Sequence, residues 1–305
     1  MLLAPCQFRK LDGILLLDKP LGMSSNKALQ EARFLFAAEK AGHTGSLDPL
    51  ASGLLPLCFG EATKVSGFLL DADKSYITTA RFGYTSNTGD EEGEKQLIQA
   101  HPKITSEKLE VVLAQFRGEI QQIPPMYSAL KKDGQPLYKL ARQGIEVERV
   151  PRNVVIHDLK LLDCSAESAT LEVQCSKGTY IRSLVEDIGA TLGVGAYVAS
   201  LRRTAVSPFN SLPMYSLEAL TAFKDQREHL DELLLPIDQA LMHLPELDLN
   251  EAESLLIQQG QKLALEKNIQ PGLYRLYKNI NEQAQFMGMG ELSNNVLRVK
   301  RLLAY

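Results

Sequence analysis

Cysteine is scarce in this chain, and the four present, Cys6, Cys58, Cys164 and Cys175, are scattered. No two have the close spacing of a zinc or redox motif, which argues against such sites and predicts reduced thiols in a cytoplasmic protein. An uncharged apolar run long enough to cross a bilayer is missing. Residues 1–10 hold a proline and reach charge at Arg9 before any signal-peptide core forms. Strong charge of either sign is also missing. A net charge of −4 does not advertise a polyanion partner, although local basic patches decide that question more than the sum does. Gly193-Val194-Gly195 lacks the third glycine of a dinucleotide fingerprint, and residues 85–94, acidic and glycine-bearing, lack the ligand spacing of a calcium loop and read as a solvated turn.

What is there suffices for more than one core. At 305 residues with 45% hydrophobic content, the chain predicts a large domain and a small one. Residues 13–17 form a continuous apolar run, a buried strand stopped by Asp18-Lys19-Pro20 and Gly22. Ser24 or Ser25 then caps a helix to about Lys40, with Ala28, Leu29, Ala32, Leu35 and Phe36 on one face. Residues 54–59, interrupted by Pro56, are expected as an irregular or edge strand, and residues 61–70 as helical. Residues 74–82 are β-branched and aromatic, which favours a strand. Residues 106–116 are amphipathic with a serine cap, residues 154–164 and 169–175 a strand pair, residues 180–192 a helix, and residues 197–206 a strand.

The segment 41–53 carries one carboxylate, Asp48, among Leu47, Leu50, Leu54 and Leu55, with three glycines around it. Two readings stand open. Asp48 caps a short helix starting at Pro49, or it lies ionised at the floor of a cleft as nucleophile or base. Residues 128–152 hold six basic side chains, Lys131, Lys132, Lys139, Arg142, Arg149 and Arg152, against three acids, with Tyr127 and Tyr138 nearby. Such a protruding segment suits looped nucleic acid, since cations follow phosphates and rings stack on bases; a plain solvated hairpin fits equally. Arg202-Arg203 lies in a strand, where phosphate binding and surface exposure both fit. Residues 216–238 are helical and acidic with a net of −4, which leaves the remainder about neutral. Beyond Pro236 and Pro245 a helical start and strand-like pieces at 272–276, 286–292 and 296–299 predict a small, mostly β domain.

Several blocks together resemble the bacterial TruB-type tRNA pseudouridine synthases. They are Asp18-Lys19-Pro20-Leu21-Gly22-Met23-Ser24-Ser25, Gly42-His43-Thr44-Gly45-Ser46-Leu47-Asp48-Pro49-Leu50-Ala51, Asp73-Lys74-Ser75-Tyr76, Ile123-Pro124-Pro125-Met126-Tyr127-Ser128-Ala129-Leu130-Lys131, Cys175-Ser176-Lys177-Gly178-Thr179-Tyr180-Ile181-Arg182 and Leu201-Arg202-Arg203. The resemblance implies an α+β fold with a mixed, mainly antiparallel central sheet, flanking helices and a small C-terminal RNA-binding domain of PUA-like type. Its implied division is 1–245, with an RNA-gripping insertion at about 121–152, and 246–305.

By position, Asp48 falls on the catalytic aspartate, Tyr76 on the tyrosine that stacks on the target base and Arg182 on the arginine paired with the acid, favouring its ionised form. His43, Tyr180 and Leu201 fall on the nucleotide pocket. Lys131, Lys132, Arg142, Arg202 and Arg203 are candidates for the RNA backbone. The implied reaction isomerises the T-loop uridine at tRNA position 55, without cofactor or metal, in a cytoplasmic monomer. An alternative is a tRNA-folding chaperone acting independently of catalysis. A glycosidic hydrolase lacks an obvious second carboxylate to direct water.

Overall fold

Why residues 13–17 can be apolar without alternation is visible in a computed structural model, which describes residues 7–265, 269–280 and 283–304. Strand β1 (Gly13–Lys19) is covered on both faces. Leu15 and Leu17 pack with Ala28, Leu29 and Ala32 of helix α1 (Ser25–Leu35), while Ile14 and Leu16 face a second cluster that includes Tyr277, Phe286 and Met289 from the far end of the chain. The helix ends at Leu35, earlier than expected, and Ala37 turns into the left-handed region at φ 49°. Cys6 lies outside the described residues.

Short strand β2 (Ala41–His43) leads through a turn to β3 (Ala51–Phe59). The expected edge strand at 54–59 is in fact interior, paired with β1 on one side and, at residues 57–59, with β2 on the other. Pro56 has no N–H to offer, and it opposes Leu16 while its carbonyl accepts the Thr44 N–H at 3.1 Å, so its lost donor is not needed there. A 3-10 turn (Gly60–Lys64) and α2 (Ser66–Leu70) replace the single helix expected at 61–70.

Strand β4 (Lys74–Phe82) is followed by the hairpin β5 (Tyr84–Ser86) and β6 (Lys95–Leu97), then α3 (Ser106–Leu113), whose cap is Thr105 rather than a serine. β7 (Gly118–Gln122) precedes the basic segment, which contains β8 (Lys131–Lys132), β9 (Gln135–Pro136) and α4 (Leu137–Arg142). β10 (Arg152–Cys164), β11 (Ser168–Cys175), α5 (Ile181–Leu192) and β12 (Ala196–Val206) complete the core of the fold.

With β13 (Tyr215–Ser216), these strands form a sheet ordered β13-β1-β3-β12-β4-β11-β10-β7, with β2 paired to β3. The β1–β13 and β3–β12 pairs are parallel and the others antiparallel. Helices α3 and α5 cover one face through Leu109, Leu113, Leu184, Val185 and Ile188. The acidic stretch folds as α6 (Leu217–Ala222), α7 (Arg227–Glu232) and a 3-10 turn (Ile237–Leu241).

A second sheet follows, ordered β14-β16-β17-β18-β15 and built from β14 (Glu246–Leu249), β15 (Leu263–Ala264), β16 (Gly272–Ile280), β17 (Gln283–Ser293) and β18 (Val296–Leu302). Helix α8 (Glu251–Gln258), started by an Asn250 capping box, packs on it through Ile257. The fold is therefore α+β, with a large mixed sheet and a separate C-terminal β domain.

Candidate active site

Asp48 does not cap a helix. Pro49 and Leu50 make a turn closed by the Ala51 N–H on the Asp48 carbonyl at 3.0 Å, and the chain enters β3 directly. Two left-handed glycines, Gly45 at φ 95° and Gly53 at φ 100°, bracket the segment. An alanine Cβ at Gly53 would lie 2.2 Å from the Arg203 carbonyl, so close approach of β12 requires glycine there.

The loop is pinned from α1 by a residue whose role the sequence did not reveal. Ser24 is the helix cap, accepting the Lys27 N–H, and this frees the buried Ser25 hydroxyl to donate to the Leu47 carbonyl at 2.9 Å and accept the Leu47 N–H at 2.7 Å. Lys19, fully buried at the end of β1, donates to the carbonyls of Pro20 at 2.9 Å and Met23 at 2.5 Å. Burial lowers its pKa to about 8 against the opposing pull of Asp48.

Arg182 comes from the first turn of α5 and is 5% exposed. Its Nη2 lies 3.0 Å from Asp48 Oδ2 and donates to the Tyr127 carbonyl at 2.7 Å, while Nη1 donates to the Thr88 carbonyl at 2.7 Å and lies 3.7 Å from Asp90 Oδ2. Four partners from three segments therefore fix one planar cation. The corner that starts α5 is itself held by buried Gln122, which accepts the Tyr180 N–H at 3.0 Å and donates to the Tyr180 carbonyl at 3.3 Å.

Asp90 was hidden in the acidic stretch 85–94, where nothing distinguishes it from Glu91 or Glu92. In the fold it is buried, accepting the Thr88 hydroxyl at 2.5 Å and the Glu92 N–H at 3.1 Å. A solvated turn was the expectation; burial of Asp90 against Arg182 corrects it for this residue.

These groups line a cavity of about 400 Å³, with Ser24, Ser25, Asn26, His43, Asp48, Thr88, Asp90 and Glu92 on one side and Tyr127, Ser128, Tyr138 and Arg142 of the basic segment on the other. The Asp48 side chain opens to it through 42% of its surface, walled elsewhere by protein. Its pKa is raised: desolvation is the largest cause, opposed by Arg182, reinforced by Asp90 and opposed by Lys19. Arg182 thus favours the ionised form as expected, but burial outweighs it. His43 is held below the usual imidazole value by burial first and by Arg203 second, and its Nδ1 is buried with no hydrogen-bond partner among the described residues.

The remaining expected residues divide. Arg142 lines the cavity and lies 5.6 Å over the Tyr138 ring, and Lys131 and Lys132 are exposed on β8. Tyr180 sits at the α5 corner. Tyr76 and Leu201 lie in the hydrophobic cluster with Leu47 and Leu50, beneath the cavity rather than among the residues that line it. Arg202 forks onto Asp18, Nη1 to Oδ1 at 3.0 Å and Nη2 to Oδ2 at 2.8 Å.

Arg203 departs from the expectation of a phosphate contact. It is 1% exposed and donates to the carbonyls of Leu54 and Gly45, because alternation along β12 points it into the sheet's interior beneath the loop. Among the described residues, no group of three His, Cys, Asp or Glu side chains is arranged to hold a metal ion.

Comparison with known proteins places this geometry. The family model described as TruB family pseudouridylate synthase (N terminal domain) matches residues 33–181. Two further models match residues 182–242, tRNA pseudouridylate synthase B C-terminal domain, and 245–303, Pseudouridine synthase II TruB, C-terminal. The chain belongs to the TruB family of pseudouridylate synthases. It is 53% identical over 297 residues to tRNA pseudouridine synthase B of Azoarcus sp. (strain BH72), covering 97% of this chain and 96% of the relative.

The relative of the same name from Ectopseudomonas mendocina (strain ymp) is 52% identical over 300 residues, with 97% and 96% covered. Among solved structures, a chain of a Cbf5-Nop10-Gar1 complex superposes with a TM-score of 0.70 at 27% identity, covering 94% of this chain and 78% of that one. A chain of an H/ACA RNP bound to a substrate RNA containing 2'-deoxyuridine shares the fold, with a TM-score of 0.72 at 23% identity over 96% and 85% of the two chains. As a TruB-family pseudouridylate synthase the chain is an isomerase. Its large sheet and the loop carrying Asp48 fall mainly within the N-terminal family model.

Proposed function

We propose that this chain isomerises the T-loop uridine at position 55 of tRNA to pseudouridine, with Asp48 as the catalytic carboxylate acting on a flipped-out nucleotide. The observation that carries the reading is the setting of Asp48. It is a partly open carboxylate at the floor of a 400 Å³ cavity, 3.0 Å from an arginine that is otherwise buried and fixed.

The reaction breaks the bond between N1 of the base and C1′ of the sugar, turns the base and joins its C5 to the same C1′. The proton lost from C5 is balanced by one gained at N1, so no atom or electron is added. A carboxylate facing the sugar and a walled cavity that keeps the detached base are what this requires. Flipping costs a few kcal/mol, and stacking on an aromatic ring recovers about 1–3 kcal/mol per base. The resemblance assigns that stacking role to Tyr76, whose ring packs with Leu47 and Leu50 beneath the cavity. His43, Tyr180 and Leu201 shape the pocket, while Lys131, Lys132 and Arg142 follow the RNA backbone from the insertion at about 121–152. Residues 1–245 act as the catalytic domain and 246–305 as a further RNA-binding domain.

With unmodified tRNA as substrate, Asp48→Asn is expected to bind nearly as wild type while pseudouridine, scored by chemical mapping, falls to background. Normal turnover by this variant would sink the proposal.

A further inference from the structure

Arg203 is a permanent cation buried at 1% exposure; it donates to two carbonyl oxygens and also interacts with the Tyr76 hydroxyl. Nε donates to Leu54 O at 2.7 Å and Nη2 to Gly45 O at 3.1 Å. Those two carbonyls stand on either side of Asp48 in the chain, one on the glycine that opens the loop and one just past the glycine that closes it. The backbone of Arg203 is held as well. It pairs with Gly53 of β3 in parallel register and with Tyr76 of β4 in antiparallel register. The side chain therefore connects an interior strand of the sheet, paired on both sides, to both ends of the loop that presents the carboxylate.

We infer that Arg203 is a positioning residue that staples both ends of the Asp48 loop, and is not a contact to RNA phosphate. This inference rests on Asp48 being the reacting carboxylate. An arginine suits the task because its planar fork places separate donors toward separate acceptors and has no form without charge. A lysine keeps the charge but offers its donors from a single atom. Without the staple the loop keeps Ser25 on Leu47 at its centre and the pairing of Gly53 and Leu54 with β1, but the Gly45 and Leu54 carbonyls lose the donors that hold them to one side chain. A displacement of about 1 Å at a reacting group can cost on the order of 100-fold in rate. Burial is the main cause of the lowered pKa of His43, Lys19 and Lys74, and the same cation adds to it, so its field reaches the groups around the loop.

The test compares wild type, Arg203→Met, Arg203→Lys and Asp48→Asn on unmodified tRNA. It measures kcat and KM for pseudouridine formation, tRNA Kd at two salt concentrations, and folding by circular dichroism. The expected result for Arg203→Met is a kcat lower on the order of 100-fold with KM, Kd and salt dependence unchanged, and for Arg203→Lys an intermediate kcat. If Arg203→Met does not fold, a lowered kcat at unchanged KM in Arg203→Lys carries the inference. A weaker Kd with shallower salt dependence and an unchanged kcat would make Arg203 a phosphate contact and overturn it. Wild-type kcat in Arg203→Lys together with Arg203→Met overturns it too. Turnover by Asp48→Asn brings down the underlying reading, whereas an inactive Asp48→Asn beside fully active Arg203 variants brings down this inference alone.

Discussion

If Asp48 is the reacting carboxylate, as proposed, it has to be charged to act, and it stands where burial penalises charge. Its pKa is raised because desolvation exceeds the stabilisation from Arg182. The rate of pseudouridine formation is therefore expected to fall on acidification at a pH above the ordinary aspartate value, and Arg182→Met to move that limb higher still by removing the main opposing charge. A pH-rate series on both proteins checks it, and an Arg182→Met limb at or below the wild-type one contradicts it. Glu186, one turn along α5, is raised from 4.5 to about 7, chiefly by burial, with Arg182 opposing. The folded state thus binds this proton more tightly than the unfolded chain. That contribution to stability is complete below about 4.5 and is lost as pH rises through about 7. Glu186→Gln is expected to gain on the order of 2 kcal/mol over wild type at pH 8 and little at pH 4.5, read by chemical denaturation at both. Of these groups only Asp48 and Arg182 carried a signal in the sequence. Glu186 looks like a helix-surface acid until Gly89 is found packed against it, where a Cβ would lie 3.1 Å from the carboxylate.

At the scale of elements, the turn between β2 and β3 depends on strand neighbours far away in sequence. Gly53 faces the Arg203 carbonyl so closely that any Cβ collides, at a φ of 100°. Gly134, at φ 80° between β8 and β9, has open space around it. Gly53→Ala is expected to cost on the order of 3 kcal/mol or more, and Gly134→Ala only about 1 kcal/mol. Equal losses in denaturant titrations would contradict the argument that close approach requires the first glycine. Strand character at 13–17, 74–82 and 169–175 was legible because the first run is continuously apolar, the second is rich in β-branched and aromatic residues, and the third alternates with period two. The interior place of β3 was not. Pro56 reads as an edge residue, and only the neighbouring strands show that its missing N–H is harmless.

The two sheets act together at the scale of the molecule. Tyr277, Phe286 and Met289 of the second sheet share a cluster with Ile14, Leu16, Leu54 and Cys58 of the first. Polar ties reinforce it. Lys64 Nζ donates to the Leu302 carbonyl at 3.0 Å, and buried Arg275 joins the Leu244 carbonyl at 3.0 Å, Glu246 at 2.8 Å and the Tyr277 hydroxyl at 3.2 Å. That hydroxyl donates to Asp238 at 2.7 Å, linking β16 to the 3-10 turn that precedes the second sheet. Tyr277→Phe is expected to lower stability by about 1.5–3 kcal/mol, the range for a hydrogen bond to a charged group, and to leave one cooperative transition by calorimetry. Two separated transitions would show that the sheets fold independently.

The order of blocks along the chain carried the resemblance, and through it the family, the fold class and the choice of Asp48 and Arg182; residue types and local periodicity alone marked strands and helices and left Asp48 open between a helix cap and a cleft acid. Tertiary structure alone decided which charges are paired and which are buried. Asp90 and Glu92 look alike in a polar run, and Arg202 and Arg203 look alike in a strand. Yet Asp90 meets Arg182, Arg202 meets Asp18, and Arg203 turns inward to two carbonyls. The reason is physical: the cost of burying a charge depends on what surrounds it in space, and adjacent strand residues point to opposite faces.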